Sequence, residues 1–260
     1  MPNCGSIRRE KGEHHAQDRP RRHCRRPGHR HRNPANAQAD PAQGIAAAVA
    51  DPQRPAADTA RDAERKPAEI VAFAGVKPGD KVAEFAPGGG YYTRILARAV
   101  GPEGHVYAMM PAAFANRPGG LDAINAVAAQ YGNVTVVAAD FTDFTLEEPV
   151  DVVWTTENYH DFNNGPAGNI DKINAAAFRN LKPGGIYFVE DHAAPGTGTS
   201  ATSTLHRIDP AAVTSQVTAA GFTLEAESDL LHNPADPHDI SPREVEPTSD
   251  KFALRFRKPG

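Results

Sequence analysis

Three consecutive glycines follow an apolar segment in residues 82–93, V-A-E-F-A-P-G-G-G-Y-Y-T, and a helical pattern begins directly after them. Gly88, Gly89 and Gly90 carry no Cβ atom, so the backbone can turn tightly and a ligand can approach it closely. The first turn of the next helix offers free N–H groups and a partial positive charge, which favour an anionic group. This junction predicts a ligand-binding loop in a fold where a strand leads straight into a helix.

Strand and helix patterns alternate along the chain around this loop. Strands are predicted at 81–85, 105–109, 134–137, 150–155, 185–190, 222–228 and 251–257. Helices are predicted at 55–73, with a second helix starting at Pro67, and at 91–100, 121–130, 170–180 and 210–220. Such alternation indicates an α/β fold with a doubly wound, mostly parallel sheet of seven strands. No helix separates the last two strands, which predicts an antiparallel hairpin at the sheet edge.

Composition divides the chain into three regions. Residues 1–37 form an arm rich in Arg, His and Pro, residues 38–54 are typical of a linker that allows one short helical turn, and residues 55–260 hold the strand–helix alternation. Residues 1–32 contain ten Lys and Arg against three acidic residues, a net +7, whereas the whole chain carries −4. The predicted domain is therefore acidic. It contains neither Cys4 nor Cys24, and no apolar run approaches the ~18 residues of a membrane span.

Three interpretations of the arm stay open. Its few large apolar residues are typical of a disordered tail, and its charge would suit nucleic-acid phosphates. Residues 35–37, Ala-Asn-Ala, resemble a signal cleavage site without the apolar core that a signal needs, as in a leader read in the wrong frame. As written, the chain predicts a cytoplasmic protein; a mis-read signal peptide would allow a periplasmic or exported one.

The glycine loop can be compared with three ligand classes. A phosphate loop needs G-x-x-x-x-G-K-S/T, and no Lys-Ser/Thr pair follows here. The dinucleotide fingerprint G-x-G-x-x-G is broken, because Thr93 stands at the third glycine. S-adenosylmethionine is the third class, since its carboxylate suits a helix N-terminus and its ammonium group suits a nearby carboxylate.

Five segments in order resemble the class I S-adenosylmethionine-dependent methyltransferases, over about residues 75–259. They are G-V-K-P-G-D-K-V with E-F-A-P-G-G-G (75–90), A-D-F (139–141), D-V-V-W-T-T-E-N-Y-H-D-F (151–162), L-K-P-G-G-I-Y-F-V-E-D-H (181–192) and A-A-G-F (219–222). The details resemble a subgroup of bacterial predicted methyltransferases. The resemblance implies a Rossmann-like methyltransferase fold that binds S-adenosylmethionine through Glu84, Ala86, Gly88, Gly90, Met110, Asp140 and Phe141.

Two positions depart from the pattern of that family. Ala86 replaces the first glycine of the loop. Met110 stands after the second strand, where the family usually has an acidic residue that binds the ribose hydroxyls. Losing a charge-assisted hydrogen bond of ~1.5–3 kcal/mol would weaken cofactor binding roughly ten- to a hundred-fold. Asp122 is the nearest downstream carboxylate that would compensate.

Polar clusters fall near the carboxyl ends of the later strands, where ligands of such sheets bind. Histidine is the usual general base near neutral pH for an oxygen or nitrogen nucleophile. The predicted catalytic residues are His160, Asp191, His192 and His206, and the predicted substrate-binding residues are Tyr159, Asp161 and Arg207.

Simpler structural roles compete with these functional ones. Asp209, directly before Pro210, fits a helix N-cap, His160 can bond to its own loop, and Trp154 fits the core. The side-chain types would permit a divalent ion, but ligands from separate loops cannot be recognised by spacing. No metal site is predicted.

The sequence thus predicts methyl transfer from S-adenosylmethionine to a small-molecule acceptor, with no membrane partner. Two alternatives remain: a non-catalytic S-adenosylmethionine-binding module, motivated by Met110, and a nucleic-acid methyltransferase anchored by the basic arm. The acidic domain argues against nucleic acid. Neither the acceptor nor the oligomeric state follows from the sequence.

Overall fold

The structure, a computed structural model, describes residues 41–165, 169–245 and 248–260. In this part of the chain one sheet has the strand order β3-β2-β1-β4-β5-β7-β6. The strands are β1 (Lys81–Phe85), β2 (His105–Pro111), β3 (Val134–Ala139), β4 (Val150–Thr156), β5 (Leu181–His192), β6 (Thr223–Ser228) and β7 (Lys251–Arg257). The five neighbouring strands β3, β2, β1, β4 and β5 pair in parallel, and β7 is antiparallel to both β5 and β6. The predicted seven-stranded, mostly parallel sheet with an antiparallel edge is confirmed.

Helices connect the strands and cover both faces of the sheet. They are α1 (Pro41–Val49), α2 (Ala56–Thr59), α3 (Asp62–Arg65), α4 (Pro67–Ala74), α5 (Tyr91–Val100), α6 (Ala112–Ala115), α7 (Asp122–Tyr131), α8 (Ile170–Asn180), α9 (Thr202–Leu205) and α10 (Pro210–Ala219). Short 3₁₀ turns lie at Asp161–Asn163 and Pro242–Glu244. The bounds of α5 and α8 match the predicted ones. The helix predicted from residue 55 is instead broken into α2 and α3, and α4 begins at Pro67 as expected.

Residues 41–49 correct the prediction of a linker at 38–54. They form α1, whose Ile45 and Ala48 are buried and belong to the core cluster that includes α4 and α5. Downstream of α1, the buried Asp51 accepts a hydrogen bond from Arg98 Nε at 2.8 Å. An alanine-rich segment forms helix readily, and here its apolar face covers α5. The folded unit therefore begins earlier than composition suggested. The interpretations of residues 1–37 concern a segment outside the described residues.

Two apolar clusters pack on opposite faces of the sheet, as a doubly wound fold requires. Trp154, at the centre of one cluster, is fully buried, with ring centroids 4.3 Å from Phe188 and 5.0 Å from Tyr92. Its predicted core role is confirmed. Strand order reverses between β1 and β4, so the crevice beyond their carboxyl ends is where such sheets bind ligands. Within the described residues, no helix is both long enough and apolar enough to span a bilayer.

Candidate active site

The loop after β1 is held in an unusual backbone conformation. Ala86 has φ +50° and Gly88 has φ +56°, and the Ala86 carbonyl accepts a hydrogen bond from Asn158 Nδ2 at 3.1 Å. A Cβ atom on Gly88 would meet nothing within 4 Å. The backbone at Gly88 therefore faces open space, as expected for a loop that receives a ligand.

Gly90 packs closely against a helix. It is buried, has φ +83°, and a Cβ there would lie 2.8 Å from Val127 Cγ2 on α7. A glycine at position 90 therefore allows close packing between the loop and α7. The contact of Gly90 with the cofactor stays a prediction.

An apolar chamber of about 600 Å³ lies beyond the ends of β1, β2 and β3. Its walls include Ala86, Gly88, Met110, Phe114, Asp140 and Phe141. Five predicted cofactor-binding residues thus line one chamber: Ala86, Gly88, Met110, Asp140 and Phe141. Asp122 is not among the residues that line this chamber, so it does not replace the acidic residue missing at Met110.

Asp140 and Phe141 are each fixed by local contacts. Asp140 Oδ1 accepts hydrogen bonds from the Thr142 N–H at 2.9 Å and the Thr142 hydroxyl at 2.8 Å, which lower the pKa of Asp140. The Phe141 ring stacks on Phe85 with centroids 4.9 Å apart. One wall of the chamber is therefore rigid and aromatic, with an ionised carboxylate beside it.

A small chamber of about 220 Å³ adjoins the glycine loop on its other side. Glu84, Gly88, Gly89, Arg61 and Tyr91 are among its walls. Glu84 is only 2 % exposed and accepts a hydrogen bond from the Thr93 hydroxyl at 2.6 Å. Burial raises the pKa of Glu84 to about 7 despite this bond. The small chamber thus offers a carboxyl group and a guanidinium.

A polar chamber of about 770 Å³ lies next to both. Asn158 borders all three chambers, and Asp161 borders the apolar and the polar one. The walls of the polar chamber include His160, Asp161, His192 and His206, and also the cations Arg61, Arg65, Arg243 and Lys251. The structure therefore brings together three histidines that the sequence had placed on separate segments.

His160 is held by a carboxylate at the end of β5. Its Nδ1 lies 2.8 Å from Asp191 Oδ1, and its backbone N–H donates to Asp191 Oδ2 at 2.7 Å. Burial lowers the pKa of His160, but the charge and hydrogen bond of Asp191 outweigh burial and leave that pKa raised. Asp191 is fully buried and does not line the chambers described. It therefore positions His160 through two hydrogen bonds.

His192 and His206 differ in environment. His192 Nδ1 lies 2.8 Å from the Ser249 hydroxyl, and burial lowers the pKa of His192 to about 4. His206 is half exposed and adopts φ +55°. His192 is therefore neutral near pH 7, whereas His206 is in contact with solvent. Asp161 Oδ1 lies 3.4 Å from both His206 Nδ1 and His160 Nε2.

No family model matches the chain. A curated relative, protein-L-isoaspartate O-methyltransferase from Ignicoccus hospitalis, is 31 % identical over 121 residues, which are 45 % of this chain and 50 % of that protein. The chain thus spans half the length of the curated relative that it matches.

Solved structures resemble the fold over most of its length. A SAM-dependent methyltransferase from Aquifex aeolicus has TM-score 0.55 at 16 % identity and covers 84 % of this chain and 98 % of its own. A putative sarcosine dimethylglycine methyltransferase from Galdieria sulphuraria has TM-score 0.58 at 17 % identity, and the match covers 80 % of this chain and 89 % of that protein. The 4+2 cyclase SpnF has TM-score 0.56 at 17 % identity, covering 76 % and 81 %.

The chain has the class I methyltransferase fold. This agrees with the motif resemblance and with the chambers at the carboxyl ends of the strands.

Two residues predicted to bind substrate lie elsewhere in this methyltransferase fold. Arg207 is fully buried and donates to the Ala193 and Ile240 carbonyls and to Asp236 Oδ1, at 3.0, 2.8 and 3.1 Å. Tyr159 is fully buried, and its hydroxyl accepts a hydrogen bond from Asn174 Nδ2 at 2.8 Å. Both stabilise the loops that form the site. Asp209 caps α10 by accepting from the Ala211 N–H at 3.0 Å, as predicted.

The methyltransferase fold also brings residues to the site that were not predicted from the sequence. Glu157, with φ +56°, forms ion pairs with Arg65 and with Lys251, the latter at 2.9 Å. Although burial opposes ionisation, the two cations lower the pKa of Glu157. Glu157 and Asn158 directly follow β4, so the strand end was a usable signal. Their partners, Arg65 and Ala86, lie 92 and 72 positions away along the chain, so these pairings could not be recognised from the sequence.

Proposed function

We propose that this protein transfers a methyl group from S-adenosylmethionine to a small-molecule acceptor in the polar chamber. The observation that carries the proposal is the meeting of the apolar and polar chambers at Asn158 and Asp161, beside the bare backbone of Gly88. Two adjoining chambers hold a donor and an acceptor in one cleft, and such positioning supplies much of the catalysis in a displacement reaction.

The residues of the first two chambers fit the cofactor. Met110 and Phe141 offer apolar surface to a nucleoside, and Asp140 offers a hydrogen-bond acceptor. Glu84 and Arg61, in the small chamber, suit the ammonium and carboxylate groups of the amino-acid part. When bound, S-adenosylmethionine supplies a methyl group activated by its sulfonium charge. With Met110 in place of a carboxylate, we expect weaker binding than a ribose-binding acid would allow.

His160 presents its second ring nitrogen to the acceptor. Asp191 fixes the Nδ1–H tautomer and the ring orientation, so the Nε2 lone pair points away from Asp191. That lone pair can take a proton from the acceptor or bind a cation. His192 and His206 border the same chamber and complete its polar wall.

The volume of the polar chamber supports a small acceptor. About 770 Å³ lies within the ~300–1,000 Å³ range of small-molecule pockets. The curated relative acts on protein according to its name, so an isoaspartyl peptide belongs in the acceptor panel. Methylation of that peptide, with none of any small molecule, would contradict the proposed substrate class. A cytoplasmic location stays a prediction of the sequence.

Calorimetry with S-adenosylmethionine and with its demethylated product tests the cofactor site. Gly88→Asp should abolish the heat of binding, because the new side chain enters the cleft and its charge repels the ligand carboxylate. Gly132→Asp is the matched control, since Gly132 also has positive φ and open space but ends α7. Unchanged binding in Gly88→Asp, or equal loss in both variants, would overturn the proposed site.

Turnover distinguishes methyl transfer from the two alternatives. SpnF shares the fold and is named a cyclase, so fold alone does not establish the reaction. Transfer of a labelled methyl group to a member of a broad panel supports the proposal. Binding without any transfer supports a non-catalytic module. Binding to RNA or DNA that falls steeply with salt, and is lost on deletion of residues 1–37, supports the nucleic-acid alternative.

A further inference from the structure

We propose that His160, Asp161 and His206 bind a divalent transition-metal ion at the wall of the polar chamber. Among the described residues, these three form a group whose ligand atoms all lie within 4.8 Å of one another. The ligands are two imidazole nitrogens and one carboxylate oxygen. The inference concerns the ion itself, and only its use in catalysis depends on the proposed methyl transfer.

The spacing of the three ligand atoms fits a single ion. Asp161 Oδ1 lies 3.4 Å from His160 Nε2 and 3.4 Å from His206 Nδ1. Bonds of about 2.1 Å in a tetrahedral site place ligand atoms about 3.4 Å apart. The two nitrogens lie within 4.8 Å of each other, so a small rotation of the half-exposed His206 ring would close the site.

Direct hydrogen bonds do not explain this cluster. A separation of 3.4 Å exceeds the ~2.7–3.2 Å of a good N–H···O hydrogen bond. The Asp161 oxygen therefore lies between two ring nitrogens and makes no bond of normal length to either. An ion at their centre would satisfy all three atoms at once.

Asp191 supplies a second, independent indication. It is fully buried and lies 2.8 Å from His160 Nδ1, so it accepts the Nδ1–H, and Nε2, 3.4 Å from Asp161, is the ring nitrogen on which an ion would replace a proton. Histidines that bind metals almost always donate their other N–H to a carboxylate or carbonyl, which fixes the tautomer and raises ligand basicity. The Asp191–His160 pair has this geometry before any ion binds.

The ligand types select the class of ion. Imidazole suits Zn²⁺, Co²⁺, Ni²⁺, Fe²⁺ and similar ions, whereas Mg²⁺ and Ca²⁺ prefer oxygen ligands only. Three protein ligands leave at least one coordination position open. If the proposed methyl transfer holds, that position is available to an oxygen or nitrogen atom of the acceptor, whose proton the ion would make easier to remove.

The test titrates the chelator-treated, full-length protein with Co²⁺ and follows calorimetry and visible absorption. The arm contains His14, His15, His23, His29, His31 and both cysteines, so the site is identified by difference between variants. His206→Gly removes one ligand and keeps the φ of +55° accessible. Asp161→Asn removes the charge at constant shape. His105→Ala, which removes a histidine at the amino end of β2, is the matched control.

We expect the wild type and His105→Ala to bind one Co²⁺ that His206→Gly and Asp161→Asn bind at least ten-fold more weakly. Equal titrations for all four proteins would overturn the proposal, because the ions would then lie elsewhere. Binding of the demethylated cofactor is measured on the same samples. Gly88→Asp should lose that binding and keep the Co²⁺ site, so failure of one proposal is distinguishable from failure of the other.

Discussion

Asp191 Oδ1 and Oδ2 accept two hydrogen bonds from one residue, His160, through its Nδ1 at 2.8 Å and its backbone N–H at 2.7 Å. The same Oδ1 also accepts from the His192 N–H at 2.8 Å. One buried carboxylate thus joins the loop after β4 to the end of β5. It fixes the orientation of the histidine ring that faces the polar chamber.

Asp191→Ala should lower the free energy of unfolding by about 3 kcal/mol or more, because buried N–H groups of His160 and His192 lose their acceptor. Asp161→Ala removes an exposed carboxylate beside the same histidine and should change stability by less than about 0.5 kcal/mol. Urea unfolding of both variants measures the difference. Similar small losses in both would show that Asp191 does not hold the two loops together.

Glu84 should make stability depend on pH. Burial raises its native pKa to about 7 from a reference value of 4.5, so between these values the unfolded chain binds fewer protons than the native protein. Stability from this residue therefore falls as pH rises through that window and levels off above about 7. Glu84→Gln removes the effect, and its stability relative to wild type should increase by up to about 3 kcal/mol from pH 4.5 to 7.

The measurement for Glu84 is urea unfolding across this pH range without cofactor. Glu103→Gln, at an exposed turn before β2, is the control. A constant difference between Glu84→Gln and wild type at all pH values would contradict the raised pKa.

Gly90→Ala should destabilise the protein through two effects. The residue has φ +83°, which costs an alanine about 1–2 kcal/mol, and its Cβ would lie 2.8 Å from Val127 Cγ2, which adds about 1–3 kcal/mol of overpacking. Gly132→Ala has positive φ and open space, so it should show the first effect alone. Val127→Ala removes the clashing methyl group, so a double variant with Gly90→Ala and Val127→Ala should lose less stability than the sum of the losses in the two single variants. Strict additivity would argue against the clash.

Arg207→Met should lower the free energy of unfolding by about 3–5 kcal/mol, since Asp236 would remain buried without its cation. We expect the folded variant to bind the demethylated cofactor normally, because Arg207 lies outside the chambers. Arg243→Met, at the wall of the polar chamber, should change stability by less than about 0.5 kcal/mol. The checks are chemical denaturation and calorimetry. If Arg207→Met lost acceptor methylation but kept its stability, the result would support the substrate-binding role that the sequence predicts for Arg207.

Much of the fold could be predicted from local patterns. The helix at Tyr91–Val100 and the strand at Lys81–Phe85 occupy their predicted residues, because periodicity and the glycine loop between them act over a few neighbouring residues. The alanine-rich composition of α1 is compatible with helix, but its place in the folded domain was missed, because that depends on the packing of Ile45 and Ala48 in the core cluster that includes α5. Four of the predicted cofactor residues also line the apolar chamber with Gly88, because strand ends are visible in sequence.

The sequence by itself determined the strands and the helices between them from residue 81 onward, and therefore which residues lie at the strand ends beside the cleft. Only the tertiary structure decided which of those residues face it. Arg207 and Tyr159 turn inward, whereas His160 meets Asp191, a residue 31 positions further along the chain. The physical reason is that secondary structure follows interactions between near neighbours, but the partner of a buried polar side chain comes from any element that packs there and must satisfy its hydrogen bonds.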